Sequence, residues 1–179
     1  MAVGLRKGEA LALRWRDVDL DAGTLLVAQT VQRVGGELVF SEPKTTRSRR
    51  TVPLPPVTLT ALRAHRAAQA GERLKAGTAW QDSGLVFTTP IGTVVDPRNL
   101  NRLLDNLCLR AQVRRVRVHD LRHTCASLLL AQGVEPRVIM ETLGHSHIAT
   151  TMNIYAHVLP VLQRQAADRM DDLLSRDGR

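Results

Sequence analysis

The sequence predicts a mainly α domain with a small three-stranded antiparallel β-sheet on one side, an α+β arrangement. Three observations lead there. Residues 24–41 are rich in Val, Leu and Thr and are interrupted by Gly35-Gly36, a two-residue hairpin signal. From residue 57 onward the apolar residues fall at helical spacings, as at Leu100, Leu103, Leu104 and Leu107. The breaks between those stretches hold helix starters and stoppers, namely Pro97, Gly133, Pro136 and Gly144. A length of 179 residues is enough for one domain with its own core, and 44% hydrophobic residues exclude a disordered chain.

The elements follow in order. Ala10-Leu11-Ala12-Leu13 belongs to a short amphipathic helix entered through Gly4 to Glu9, with Trp15 and Val18 packing beneath it. Asp17, Asp19 and Asp21 alternate like a calcium loop. Positions six and twelve of such a loop would be Ala22 and Ala28, where Gly and Glu are needed, so the three are turn residues before a strand. Residues 24–34 read as one strand and Glu37 to Ser41 as its return. Residues 43–50 form a polar, basic turn. Thr51-Val52-Pro53-Leu54 is a third strand, and Pro53, which cannot donate to a ladder, puts it at an edge. After Pro55-Pro56 come a long Ala/Leu/Arg helix over 57–75, a loop from Gly77 to Gly84 and a short extended piece at Leu85-Val86-Phe87. A helix over 98–111 follows, and then a basic loop with Arg114, Arg115 and Arg117. The next helix runs to about Gln132, and a shorter one opens at Pro136. Ser146 caps a helix reaching Tyr155, and a last helix over about 158–174 carries Val158, Leu162, Ala166, Met170 and Leu173 on one stripe.

The formal charge is +8, from 25 Lys plus Arg against 17 Asp plus Glu. Lysine occurs only at 7, 44 and 75, which leaves 22 arginines. Such an excess reads either as a solvated basic surface or as the footprint of a polyanion, since arginine forks onto phosphate oxygens; a GC-rich genome would also favour arginine. Cys108 and Cys125 lack CxxC spacing and read as buried free thiols of a reducing compartment. With neither a signal-peptide pattern nor an apolar run long enough to span a bilayer, a soluble cytoplasmic protein without membrane contact is expected.

The most informative stretch is His119-Asp120-Leu121-Arg122-His123-Thr124. Asp120 sits where a helix start favours negative charge, and His119 and Arg122, three apart, share a helix face. An imidazole beside a permanent guanidinium suits a phosphate whose charge is changing. With Leu143-Gly144-His145, the sole tyrosine Tyr155, and the upstream Arg6 and Lys44, this reads as a phosphoryl-transfer site with a tyrosine nucleophile. Plainer readings stand beside it. Tyr155 could be a core tyrosine, Lys44 an ordinary turn lysine, His147 and His157 surface residues, and His119 with His123 an i, i+4 metal pair, although no HExxH pattern is present. Arg47, Arg49 and Arg50 could be a solvated run or could touch DNA phosphates, as could Arg114, Arg115 and Arg117. No carboxylate cluster for a two-metal nuclease and no GxxxxGK[ST] loop appears, so neither metal nor other cofactor is expected.

Six pieces in order carry a family resemblance: Gly-Leu-Arg6-x-x-Glu9 with Leu-x-Trp15-x-Asp17-Val-Asp19, Lys44 before Thr-Val-Pro-Leu, His119-x-x-Arg122-His-Thr, Leu-Gly-His145, and Tyr155 ten residues on. They resemble the catalytic domain of the tyrosine recombinase (phage integrase) family over nearly the whole chain. The resemblance implies double-stranded DNA as substrate and a covalent 3′-phosphotyrosine intermediate in strand cleavage and rejoining, as in integration or excision of a mobile element. It further implies that Arg6, Arg122 and His145 hold the phosphate, that Lys44 protonates the leaving 5′-oxygen, that His119 helps to deprotonate Tyr155, and that Glu9 supports Arg6. A tetramer on paired sites, with the tail helix 158–179 docking in trans, and an accessory directionality factor are the partners it suggests. The family's N-terminal core-binding domain is expected to be missing ahead of Met1. A catalytically silent DNA-binding remnant and a type IB topoisomerase are the alternative readings.

Overall fold

The computed structural model describes residues 2–42, 48–144 and, near the C-terminus, 163–175 apart from 165, 169 and 172. Lys44, Arg47, His145 and Tyr155 lie outside the described residues, as do the Ser146 cap, His147, His157, and Val158 and Leu162 of the expected tail stripe.

The elements are α1 (Lys7–Leu11), β1 (Val18–Asp19), β2 (Thr24–Val27), β3 (Thr30–Val34), β4 (Glu37–Ser41), β5 (Arg50–Pro53), α2 (Pro56–Ala76), α3 (Pro97–Arg110), α4 (Val118–Ala131) and α5 (Pro136–Leu143). The described residues between 163 and 175 are helical. The fold class is as the sequence predicts, mainly α with a small antiparallel sheet. No helix among the described residues is long and apolar enough to cross a membrane.

The sheet is assembled differently from the expectation. Residues 24–34 are not one strand. The three-stranded sheet has the order β1-β2-β5, and β3 with β4 forms a separate two-stranded hairpin. The reason is the crossing of β3 over α1. A Cβ on Gly8 would collide with the Thr30 hydroxyl and the Val31 carbonyl, so helix and strand approach there through glycine alone. At the break, Gln29 donates from Nε2 to the Ala12 carbonyl at 2.7 Å, satisfying the C-cap of α1. Val31 is thereby buried against Leu11 and Ala12.

β5 is the sheet edge, as Pro53 requires, and pairs Val52 with Leu25 and Arg50 with Val27. Side chains alternate across a strand, so Val52 and Arg50 both point inward while Thr51 and Pro53 point out. Leu13, Leu25, Val27, Val52, Leu54, Leu62 and Val86 make the core beneath this sheet. α2 is bolted to the extended piece at 85–88 by polar contacts. Gln69 accepts from Trp15 Nε1 at 2.6 Å and donates to Val86 O at 3.1 Å, and His65 Nε2 lies 2.7 Å from Val86 O. A second core joins α4 to α5 through Cys125, Ala126, Leu130, Ile139 and Leu143. Both cysteines are buried free thiols, and burial pushes the Cys125 thiol up from its usual pKa.

This second core predicts a contrast. Ile139→Ala empties a fully buried position and should cost about 2–5 kcal/mol. Leu128→Ala, at a side chain 54% exposed on α4, should stay within about 0.5 kcal/mol of the unsubstituted chain. Urea midpoints at constant m-value check both.

Candidate active site

A helix ends with carbonyls that have no partner within it. α5 ends in three consecutive carbonyls, each of which accepts from a different arginine. Arg50 Nε donates to Thr142 O at 2.7 Å, Arg122 Nη2 to Leu143 O at 2.5 Å, and Arg6 Nη2 to Gly144 O at 2.6 Å. The arginines arrive from β5, from α4 and from the N-cap of α1. Cations at a helix C-terminus also oppose the negative end of its dipole. Gly144 is required here twice over. Its φ is +68°, and a Cβ would stand 2.7 Å from Arg50 Nη1.

Glu9 closes the cluster. Its Oε1 accepts from Arg6 Nη1 at 2.7 Å and Arg50 Nη1 at 3.2 Å, and its Oε2 from the Arg6 backbone N and Arg50 Nη2, both at 2.9 Å. Arg122 donates through Nη1 to Gly4 O at 2.6 Å. Glu9, Arg50 and Arg122 are all buried, whereas the Arg6 side chain is 39% exposed. Arg6 and Arg50 thus share one carboxylate, and both protein partners of Arg122 are neutral carbonyls. Burial, and secondarily the charge of Arg6, pushes the Arg122 guanidinium down to about 10, so it still carries its charge at neutral pH.

Arg6, Arg122 and His119 line one cleft of about 350 Å³, walled by Leu5, Lys7 and Val118. Burial, then the charges of His123 and Arg122, lowers the His119 pKa from its usual 6.5. The imidazole is therefore neutral at pH 7 and can accept a proton. The His119 and His123 rings meet edge to face at 4.6 Å between centroids. Among the described residues no group of three or more His, Cys, Asp or Glu is placed to hold a metal ion.

The arginines expected on DNA separate into kinds. Arg50 is a correction. Strand alternation turns it inward, and its bonds to Glu9 and Thr142 O remove it from the surface. Arg49 and Arg114 are exposed. Arg115 is exposed but paired with Asp105 at 2.8 Å, and Arg117 with Asp120 at 2.9 Å. Asp120 also accepts from the Arg117 backbone N at 2.9 Å, and these bonds lower its pKa to about 2. Arg50 was not legible as a member of the cluster in its basic run; the one signal was its two-residue spacing from the apolar Val52, which marks the inward face of β5.

The model of the phage integrase family matches residues 1–160. A tyrosine recombinase XerC-like protein of Caldanaerobacter subterraneus is 37% identical over 182 residues, covering 95% of this chain and 46% of the relative. An integrase of Saccharopolyspora erythraea is 40% identical over 140 residues, covering 78% of this chain and 32% of that protein. The chain spans about half the length, or less, of these curated relatives. The Tn1549 transposon integrase, solved in complex with transposon right end DNA, superposes with a TM-score of 0.80 at 21% identity, over 95% of this chain and 56% of that one, a likeness of fold.

The buried pair sets an acid limit. Burial raises the Glu9 pKa, but the bonds and charge of Arg50 and the bonds from Arg6 outweigh it and hold the carboxyl below its usual 4.5. Its contribution to stability is complete above about pH 4.5 and is lost as pH falls through the lower folded value. Glu9→Gln should cost about 3 kcal/mol at pH 7 and flatten the fall in stability below pH 4.5, as read from urea midpoints at several pH values.

Proposed function

The chain belongs to the phage integrase family, and on that premise we propose that it is the catalytic part of a site-specific DNA recombinase, acting through a 3′-phosphotyrosine intermediate. One observation carries this reading. Arg6 and Arg122, far apart in sequence, meet in one cleft beside a neutral His119; Arg122 is held by neutral carbonyls and Arg6 shares the single Glu9 carboxylate with Arg50, so the cluster keeps a positive surplus for an anion. Guanidinium groups fixed before the reaction stabilise the charge that builds on a phosphoryl group without reorganising.

In this mechanism the Tyr155 hydroxyl attacks the phosphorus of a DNA strand. A P–O(Tyr) bond forms and the P–O5′ bond breaks, leaving a 3′-phosphotyrosine and a 5′-hydroxyl. His119 takes the tyrosine proton and Lys44 supplies one to the leaving 5′-oxygen. Arg6 and Arg122 bind the non-bridging oxygens, with His145 as a further donor. Attack by another strand's 5′-hydroxyl reverses the step, so the bond energy is conserved and neither nucleotide hydrolysis nor a metal is called for. Arg49, Arg114, Arg115 and Arg117 contribute phosphate contacts along the backbone. Assembly as a tetramer on paired sites fits the tail, where Met170, Leu173 and Leu174 are exposed apolar residues. A directionality factor would bias integration against excision.

Three measurements test the reading. On a nicked duplex from the junctions of the element that carries the gene, the unsubstituted chain should form a covalent protein–DNA adduct and Tyr155→Phe none; an adduct in that variant removes the tyrosine from its role. The rate of adduct formation should rise with pH and level off at a lower pH than an ordinary imidazole base would give, because His119 must be neutral to accept a proton and burial lowers its pKa. With about four phosphates contacted, the log–log dependence of DNA affinity on salt should have a slope near −4, and a flat dependence contradicts the basic surface as a DNA face.

A further inference from the structure

Resting on the recombinase reading, we infer that Arg50 is a positioning residue for the chemical step. It aims Arg6 through Glu9 and fixes the end of α5, without touching DNA itself.

The geometry leaves Arg50 no route to a DNA backbone. Its side chain is 7% exposed, and its Nε, Nη1 and Nη2 all donate inside the protein, to Thr142 O and to both oxygens of Glu9. What it does instead follows from what it shares. Glu9 Oε1 lies between Arg50 Nη1 and Arg6 Nη1, and Glu9 Oε2 between Arg50 Nη2 and the Arg6 backbone N. The carboxylate orientation that receives Arg6 is therefore the one Arg50 imposes. Arg6 is the half-exposed member, and Glu9 and Gly144 O are its two side-chain anchors. Both anchors touch Arg50, the second through the close packing of its guanidinium on Gly144. Thr142 O would lose its side-chain donor without Arg50. The next residue after Gly144 is His145, and Arg50 opens the strand that follows the Lys44 segment. One planar fork thus sets both side-chain anchors of Arg6. A lysine keeps the charge opposite Glu9 but has a single ammonium on a flexible stem and cannot bridge Glu9 and Thr142 O in a fixed plane.

The test compares the full chain with Arg50→Lys. The probe is a thymidine oligonucleotide ending in a 3′-(p-nitrophenyl) phosphate. Attack by Tyr155 forms the P–O(Tyr) bond, breaks the P–O(aryl) bond and releases p-nitrophenolate, which needs no proton from Lys44. Guanidinium Nη–H exchange of Arg6 and Arg122, whose Nη groups make the bonds to Glu9, Gly144 O, Gly4 O and Leu143 O, followed by ¹⁵N NMR in the free protein, reports aim independently of activity. In folded Arg50→Lys, oligonucleotide affinity should stay within about twofold, while p-nitrophenolate release slows and Arg6 exchange quickens by about tenfold or more, with Arg122 exchange little changed. Unchanged Arg6 exchange overturns the inference. Equal quickening at Arg6 and Arg122 also overturns it, because that marks general loosening. If the unsubstituted chain releases no p-nitrophenolate, the recombinase reading fails on this probe and the exchange comparison alone decides on Arg50. If Arg50→Lys does not fold, acid titration of the unsubstituted chain decides. Arg6 and Arg50 must lose Nη protection together as Glu9 is protonated while Arg122 keeps its own, and separate loss at Arg6 and Arg50, or equal loss at all three, overturns the inference.

Discussion

The three carbonyls at the end of α5 are the constraint on which the structure depends. Any helix must find partners for its last carbonyls, and water would serve at a surface. Here the end is buried, and the partners are guanidinium groups from three other elements. The full set of bonds can form only when β5, α4 and α1 are all in place, so completing the helix end and assembling the cleft go together. The cost of removing those charges from water is offset only if every donor and acceptor is matched, which makes the arrangement intolerant of small displacements.

Charge accounts for the cleft's chemistry. One carboxylate among three guanidinium groups, two of them buried, leaves a positive surplus, and burial already works against the charged form of Arg122. A bound anion would relieve that imbalance. The exposed pairs Arg115–Asp105 and Arg117–Asp120 differ in kind, since each cation there already has a carboxylate in a solvent-screened setting where such pairs contribute little. The surplus belongs to the cleft and the balanced pairs to its rim.

Packing keeps the arginines where the carbonyls need them. Ala126, Leu130, Ile139 and Leu143 lock α4 to α5, which fixes Arg122 relative to Leu143 O. Leu11, Ala12 and Val31 hold α1 on the β3–β4 hairpin, which fixes Glu9 and Arg6. The crossing through Gly8 that divides the long β-forming run lets that helix sit close enough. The departure from the expected sheet is therefore a condition of the site.

Much was legible in the residues themselves, because local rules govern it. Helical spacing located α2 to α5 within a residue or two, Pro53 marked an edge strand, and the spacing of Arg6, His119, Arg122, His145 and Tyr155 carried the family resemblance and its chemistry. Two features were not legible. The run from residue 24 to 34 satisfies β-propensity throughout, and propensity is blind to a helix crossing it. Arg50 sits in a basic run that looks solvated, and composition gives every member of such a run the same surface. The sequence by itself determined the elements, the positive balance and the chemical types available, since these follow from periodicity and side-chain chemistry. Only the tertiary structure decided which arginine faces the cleft, which is held by the α5 carbonyls and which is paired at the rim, because burial and partner choice are set by residues distant in the chain.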